Sequence, residues 1–176
     1  MSRIAGKRGF VTIATGDIRY YEIAHNLLIS YRRFSSEHNP FAIICDRLNE
    51  FTEEFDVQIV IEDAANNFLD KLKLFRELPF DETIFIDADS LAYGDLDVWW
   101  SLFRDGADFS VFGFAFEDLK CGKGWFRPEG TGPYRDRISF IPSFTVEFII
   151  FETRTRADVF LSWQTTLRSI ILNTGS

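Results

Sequence analysis

The sequence predicts an α/β domain with a mostly parallel sheet flanked by helices. Three observations carry that expectation: apolar runs of strand length, stretches of helical apolar spacing between them, and the order in which the two alternate. Gly9-Phe10-Val11-Thr12-Ile13-Ala14-Thr15 reads as a first strand, rich in β-branched residues and broken by Gly16-Asp17. Tyr20, Ile23, Ala24, Leu27, Leu28, Tyr31 and Phe34 then recur at helical spacing, with Asp17 as the expected N-cap. Phe41-Ala42-Ile43-Ile44-Cys45-Asp46 and Val57-Gln58-Ile59-Val60-Ile61 are two further buried strands. Phe68, Leu69, Leu72, Phe75, Arg76 and Leu78 predict a helix that closes at Pro79. Thr83-Ile84-Phe85-Ile86-Asp87-Ala88-Asp89-Ser90 is the fourth strand and its end. Strand, helix, strand, strand, helix, strand is the order of a sheet with parallel crossovers.

Beyond it, Leu96, Trp99, Trp100 and Phe103 predict a short amphipathic helix, Asp108 to Phe114 a strand, Phe144 to Phe151 a last strand, and Ala157, Leu161, Thr165 and Leu167 a final helix. Residues 117–142 have no period and collect Lys120, Lys123 and Arg127 around Trp125, Phe126 and Tyr134. A loop of that length is either functional, as a lid or acceptor platform, or a disordered insertion. One domain over residues 1–176 is the simplest organisation, and the chain stops at Asn173-Thr174-Gly175-Ser176, directly after a helix, where an α/β fold is expected to continue.

Composition limits the partners. The 176 residues are 46% hydrophobic and 26% charged, as in a globular chain with a core of its own, and the 20 phenylalanines make that core aromatic. A formal net charge of -8 argues against nucleic acid or anionic lipid as the main partner, although a metal and a few lysines can still focus positive charge on an anionic substrate. Cys45 and Cys121 have neither zinc spacing nor a disulfide framework, and Cys45 reads as an ordinary buried thiol. The basic stretch Met1 to Arg8 leads into no signal-peptide apolar region, and no run reaches the length of a membrane span. A reducing, cytoplasmic location is the expectation.

The candidate chemistry lies where the fourth strand meets Asp87 and Asp89. Side chains at i and i+2 of a strand share a face, so the two carboxylates would sit together, repel, and favour a cation. Oxygen ligands suit magnesium or manganese. Chance alone supplies about one Asp-x-Asp triplet in a chain this rich in aspartate, and a second, Asp95-Leu96-Asp97, is present. Position after an apolar strand is what distinguishes the first. Ligands of open α/β sheets bind beyond the C-terminal ends of the strands, where the first strand ends in Ala14-Thr15-Gly16-Asp17 and lets a ligand approach the backbone. Tyr20 has two readings, a ring that stacks on a base and a member of the apolar stripe. Lys71 and Lys73, by position alone, read as solvated face residues.

These residues resemble a known family. Lys71-Leu72-Lys73-Leu74-Phe75-Arg76, then Thr83 to Leu91 with Asp87-Ala88-Asp89, then Gly94-Asp95-Leu96-Asp97-Val98-Trp99-Trp100, are similar to the central region of nucleotide-sugar glycosyltransferases of the GT-A (Rossmann-like) fold, above all the glycogenin-like and galactosyltransferase-like family eight. The resemblance covers roughly residues 9–160. It implies that Ala14, Thr15 and Tyr20 hold the base of a donor, with stacking on the base falling to Tyr20. It implies that Lys71 reaches the donor and that Asp87, Ala88 and Asp89 line it, with Asp87 and Asp89 binding manganese (or magnesium) and the diphosphate. The chain departs from the family at Phe144-Thr145-Val146-Glu147-Phe148, where a polar turn is usual, and the family's Asp-Gln pair and metal-binding histidine would fall beyond Ser176. His25, on the first helix, and His38, in a turn, are not replacements for that histidine.

The function implied is a metal-dependent, retaining transfer of a sugar from a nucleoside diphosphate sugar, a UDP-sugar above all, to a carbohydrate acceptor. No general base stands out among Asp118, Glu129 and Glu147. Two alternatives stand beside it: a degenerate or truncated domain that binds nucleotide sugar without transfer, and a phosphatase of the haloacid-dehalogenase type, which would need its Asp-x-Asp nearer the start of the domain.

Overall fold

The structure is a computed structural model that describes residues 4–102, 109–116 and 141–152. The chain divides into two compact units, one of residues 1–111 and 146–154 and the other of residues 112–145 and 155–176. The candidate site lies wholly in the first.

Strand β1 (Ile4–Ala14) enters helix α1 (Ile18–Phe34) through a tight turn, and β2 (Phe41–Cys45) and β3 (Val57–Val60) follow. A 3₁₀ segment, Phe68–Lys73, runs straight into one α-helical turn, α2 (Leu74–Glu77), before β4 (Phe80–Ile86). A second 3₁₀ segment, Leu96–Leu102, precedes β5 (Phe109–Phe116), which leads into the second unit, and β6 (Ile141–Glu152) returns from it. In the first unit the strand order is β3-β2-β1-β4-β6. The first four strands are parallel, with Phe10 beside Phe41 and Val11 beside Phe85, and β6 runs antiparallel to β4 from Glu82↔Glu152 to Ile86↔Phe148. This is the predicted mostly parallel α/β sheet.

Alternation along the strands divides the core between the two faces of the sheet. Phe10, Ala14, Ile43 and Ile84 pack with Tyr21, Ala24, Leu27, Leu28 and Tyr31 of α1 and with Leu96 and Trp100. Val11, Ile13, Ile44 and Phe85 pack on the other face with Leu74, Leu78 and Phe80. Aromatic rings fill the first face: Phe10 lies 4.8 Å from Tyr31 and 5.1 Å from Trp100. Cys45 is the buried thiol expected, and burial pushes its pKa up to about 11.

Several sequence expectations shift in detail. The stripe of α1 begins at Tyr21, not Tyr20: Tyr21 is fully buried while Tyr20 is 54% exposed. Phe34, placed in the same stripe, is an exposed residue at the helix end. The helices expected around 68–78 and 96–103 are largely 3₁₀, because residues three apart share a face in either helix and apolar spacing does not separate them. Asp17 caps α1 as expected, its side chain accepting from Arg19 N at 2.9 Å. The final helix, most of loop 117–142, Phe103 and Cys121 lie outside the described residues. Among the described residues no helix is long and apolar enough to cross a membrane.

Candidate functional site

The chain crosses from β3 at one edge past β2 and β1 to β4, so the strand order reverses between β1 and β4. In an open parallel sheet that reversal opens a crevice at the C-terminal ends of the two strands. Ala14, Thr15 and Gly16 end β1 there, and Asp87, Ala88 and Asp89 follow β4. The fold thus brings both sequence-predicted stretches to the C-terminal ends of two neighbouring strands.

Asp87 and Asp89 do not continue β4, which stops at Ile86. They belong to a turn in which Ser90 N donates to Asp87 O at 3.1 Å. The i, i+2 alternation of a strand therefore does not apply to them; chain reversal begins one residue earlier than the apolar run suggests. Asp87 is largely buried and accepts a hydrogen bond from Lys71 Nζ on one carboxylate oxygen and from Ala88 N at 3.0 Å on the other. Ala88 is buried and Asp89 is exposed.

Lys71 is not the solvated residue that position alone suggests. It projects from the 3₁₀ segment onto Asp87, sixteen positions on, with only part of its side chain in water. Lys73 is also enclosed, paired with Asp70 at 3.0 Å and with Asp63 at 3.4 Å. Each departure has its own carboxylate: Asp87 beyond β4 for Lys71, and Asp70 one 3₁₀ turn back, with Asp63, for Lys73.

On the β1 side, Gly16 takes φ +80°, and its N–H donates to Asp46 Oδ1 at 3.1 Å. The hydroxyl of Tyr21 donates to the same oxygen, and Arg47 binds the other at 2.9 Å while donating to Gly16 O at 2.6 Å. Burial opposes ionisation of Asp46, but Tyr21, Gly16 and Arg47 together hold its carboxyl below the usual range. Burial and the Asp46 carboxylate push the Tyr21 phenol upward, so it stays a neutral donor. Ala14 is buried, and the hydroxyl of the nearly buried Thr15 donates to Asp70 Oδ2 at 2.9 Å. Thr15 therefore keeps only lone pairs and backbone for a ligand. Tyr20, in the first turn of α1, is exposed and so is not part of the buried stripe.

Two carboxylates of this region lacked a role in the sequence reading. Asp46 carries the same signal as Asp87, an apolar strand ending in aspartate. Asp70 carries none, because its partner Thr15 is 55 residues away. Asp97, of the second Asp-x-Asp triplet, is buried at the other end of α1 and accepts from Ser35 Oγ at 2.6 Å, Asn39 Nδ2 at 2.9 Å and Glu37 N at 3.0 Å. That triplet holds the fold together. His25 sits beside Glu54 at 3.1 Å and against Phe51, away from the Asp87 turn in sequence and pairing. Among the described residues no group of three or more His, Cys, Asp and Glu could hold a metal ion by itself.

The sequence matches no protein-family model and no curated protein. Solved structures do match. The bifunctional glycosyltransferase WbbM, in its apo form, aligns over 98% of this chain with a TM-score of 0.59 at 13% identity. Mouse xyloside xylosyltransferase 1, also apo, aligns over 92% with a TM-score of 0.53 at 11% identity. The fold is that of the GT-A glycosyltransferases. The galactosyltransferase LgtC, solved in complex with donor and acceptor sugar analogs, has the same GT-A arrangement, with a TM-score of 0.52 over 94% of this chain at 13% identity. The chain spans 38% of the WbbM chain, 69% of the LgtC chain and 74% of the xylosyltransferase chain. At these identities the likeness is one of GT-A fold.

Proposed function

We propose that this chain binds a nucleoside diphosphate sugar in the β1/β4 crevice and belongs to a metal-dependent glycosyltransferase. The donor we favour is a UDP-sugar, the acceptor a carbohydrate, the outcome retention, and the family is family eight. The observation that carries the reading is the contact of Lys71 with Asp87 at the reversal point of a GT-A sheet, across from the Thr15-Gly16 turn.

The donor set fits manganese or magnesium as a half-site. Such ions are commonly held by one or two carboxylates with substrate phosphates completing the shell, and Asp87 and Asp89 supply that number of carboxylates from one turn. A divalent ion there would supply positive charge to a departing diphosphate. Lys71 binds a phosphate oxygen from the opposite wall and keeps Asp87 neutralised until the donor arrives. Ala14 and Thr15, at the end of β1, border the nucleoside, and Tyr20 covers the base with its ring.

The test is calorimetric titration of UDP in the presence of manganese into the wild-type chain and into Asp89→Ala. Wild type should bind, and the variant should lose about a hundredfold in affinity, on the scale of removing one strong electrostatic partner. Equal binding by the two proteins sinks the reading. Incubation with UDP-sugars and manganese then separates an enzyme, which releases UDP, from a domain that only holds the donor.

A further inference from the structure

Asp70 is a charged side chain almost wholly removed from water, at 1% exposure, and nothing in the proposed reaction calls for it. Burying a carboxylate is costly unless it is fully hydrogen-bonded, and this one is. Oδ1 accepts from Ala65 N at 2.7 Å and pairs with Lys73 Nζ at 3.0 Å; Oδ2 accepts from Asn66 N at 2.8 Å and Thr15 Oγ1 at 2.9 Å. Those partners come from three pieces of chain: the end of β1, the loop before the 3₁₀ segment, and the segment itself.

The loop is not relaxed by nature. Asn66 has φ +56°, a left-handed conformation, and it packs so close to Gly16 that a Cβ on the glycine would lie 3.2 Å from Asn66 Cβ. Such a backbone persists only where its surroundings over-determine it. Asp70 does that with two N–H bonds on successive residues, while Asn67 caps the segment by accepting from Leu69 N at 2.9 Å. Lys71 is the next residue along, and a 3₁₀ segment that is fixed at its start fixes where that lysine points.

We propose that Asp70 is the positioning residue of the donor site, locking the end of β1 and the 65–66 loop to the 3₁₀ segment so that Lys71 is presented to Asp87. This rests on the donor-site reading above only for its consequence in binding; the placement of Lys71 is a property of the free protein. Asp70 touches no donor and acts through Thr15 and Lys71.

The experiment labels the free, folded chain with limiting acetic anhydride and reads acetylation of Lys71 by peptide mass spectrometry. Lys71 should label slowly in wild type. In Asp70→Asn, which keeps the shape but turns an amide toward two donors, labelling should rise about fivefold, the change expected for the net loss of one ordinary hydrogen bond. Asp87→Asn, lacking the lysine's partner, sets the upper rate. Asp97→Asn is the control, since it weakens the fold at the other end of α1. An equal rise in Asp97→Asn, or no rise in Asp70→Asn, overturns the proposal. Should Asp70→Asn not fold, Thr15→Val removes one of the four bonds and should shift Lys71 labelling in the same direction by a smaller factor; no shift there overturns it. UDP with manganese should then bind about tenfold more weakly to Asp70→Asn than to Asp97→Asn. A wild-type chain that binds no UDP sinks the functional reading and leaves the labelling result to decide this one.

Discussion

Gly16 shows how much of the candidate site rests on single atoms. Its φ of +80° suits glycine, and its missing Cβ is what lets Asn66 close against it. Gly16→Ala should therefore destabilise the chain by about 1–2 kcal/mol, the cost of a left-handed non-glycine residue with a tight contact added. Urea unfolding checks this through the transition midpoint; an unchanged midpoint would mean that Asn66 gives way freely. Tyr20 and Tyr21 make the same point about single positions. Neighbouring tyrosines at the start of α1 are equivalent by composition, yet one is buried with its hydroxyl on Asp46 and the other is exposed.

At the scale of elements, carboxylates far apart in sequence connect what the sheet alone would leave loose. Asp97 joins the C-terminal turn of α1, the turn leading into β2, and the 3₁₀ segment Leu96–Leu102. Its removal strands several donors in a buried place. Asp97→Ala should cost about 3 kcal/mol, in the range for breaking a buried hydrogen-bond network. Because α1 has 17 residues, Asp97 lies about 25 Å from the Gly16 end of the helix at 1.5 Å per residue. Stability should fall while the UDP affinity of the folded protein stays the same, a split that calorimetry and urea unfolding read separately. A loss of affinity parallel to the loss of stability would refute it. Strands, their order and α1 were legible in sequence because their apolar period is local and strong. Asp87 was legible as a carboxylate ending an apolar strand, whereas Lys71, by position a solvated face residue, gained a role only from the family resemblance. Asp70 and Asp97 were not, since what makes them matter is burial beside partners 55 to 62 residues distant, and no window of sequence contains both. Nor could spacing distinguish a 3₁₀ turn from an α-helix, or say that β4 would release the chain at Ile86.

For the whole molecule, these buried carboxylates set how it responds to acid. In Asp46, Asp70 and Asp97, burial favours the neutral acid, but hydrogen bonds outweigh it: Tyr21 and Gly16 at Asp46, Ala65 and Lys73 at Asp70, Ser35 and Asn39 at Asp97. All three are held below the ordinary carboxylate value in the folded state. The unfolded chain then binds more protons than the folded one on the acid side, so stability rises with pH there. That stabilisation is fully present above the unfolded value of about 3.9 and is lost as pH falls through the folded values. The net charge of -8 at pH 7 works the other way, because mild acidification relieves repulsion, but that effect is diffuse and screened by salt. In moderate salt, unfolding free energy from urea titrations should be nearly level from about pH 7 to 5 and fall steeply below about pH 4. Asp97→Asn should start lower and fall less, since one of the groups that takes up a proton on unfolding is gone. A wild-type profile that stayed level or rose down to about pH 3 would show that these carboxylates are no more acidic folded than unfolded, and with that the account of Asp70 as a charged, fully bonded lock would lose its electrostatic basis.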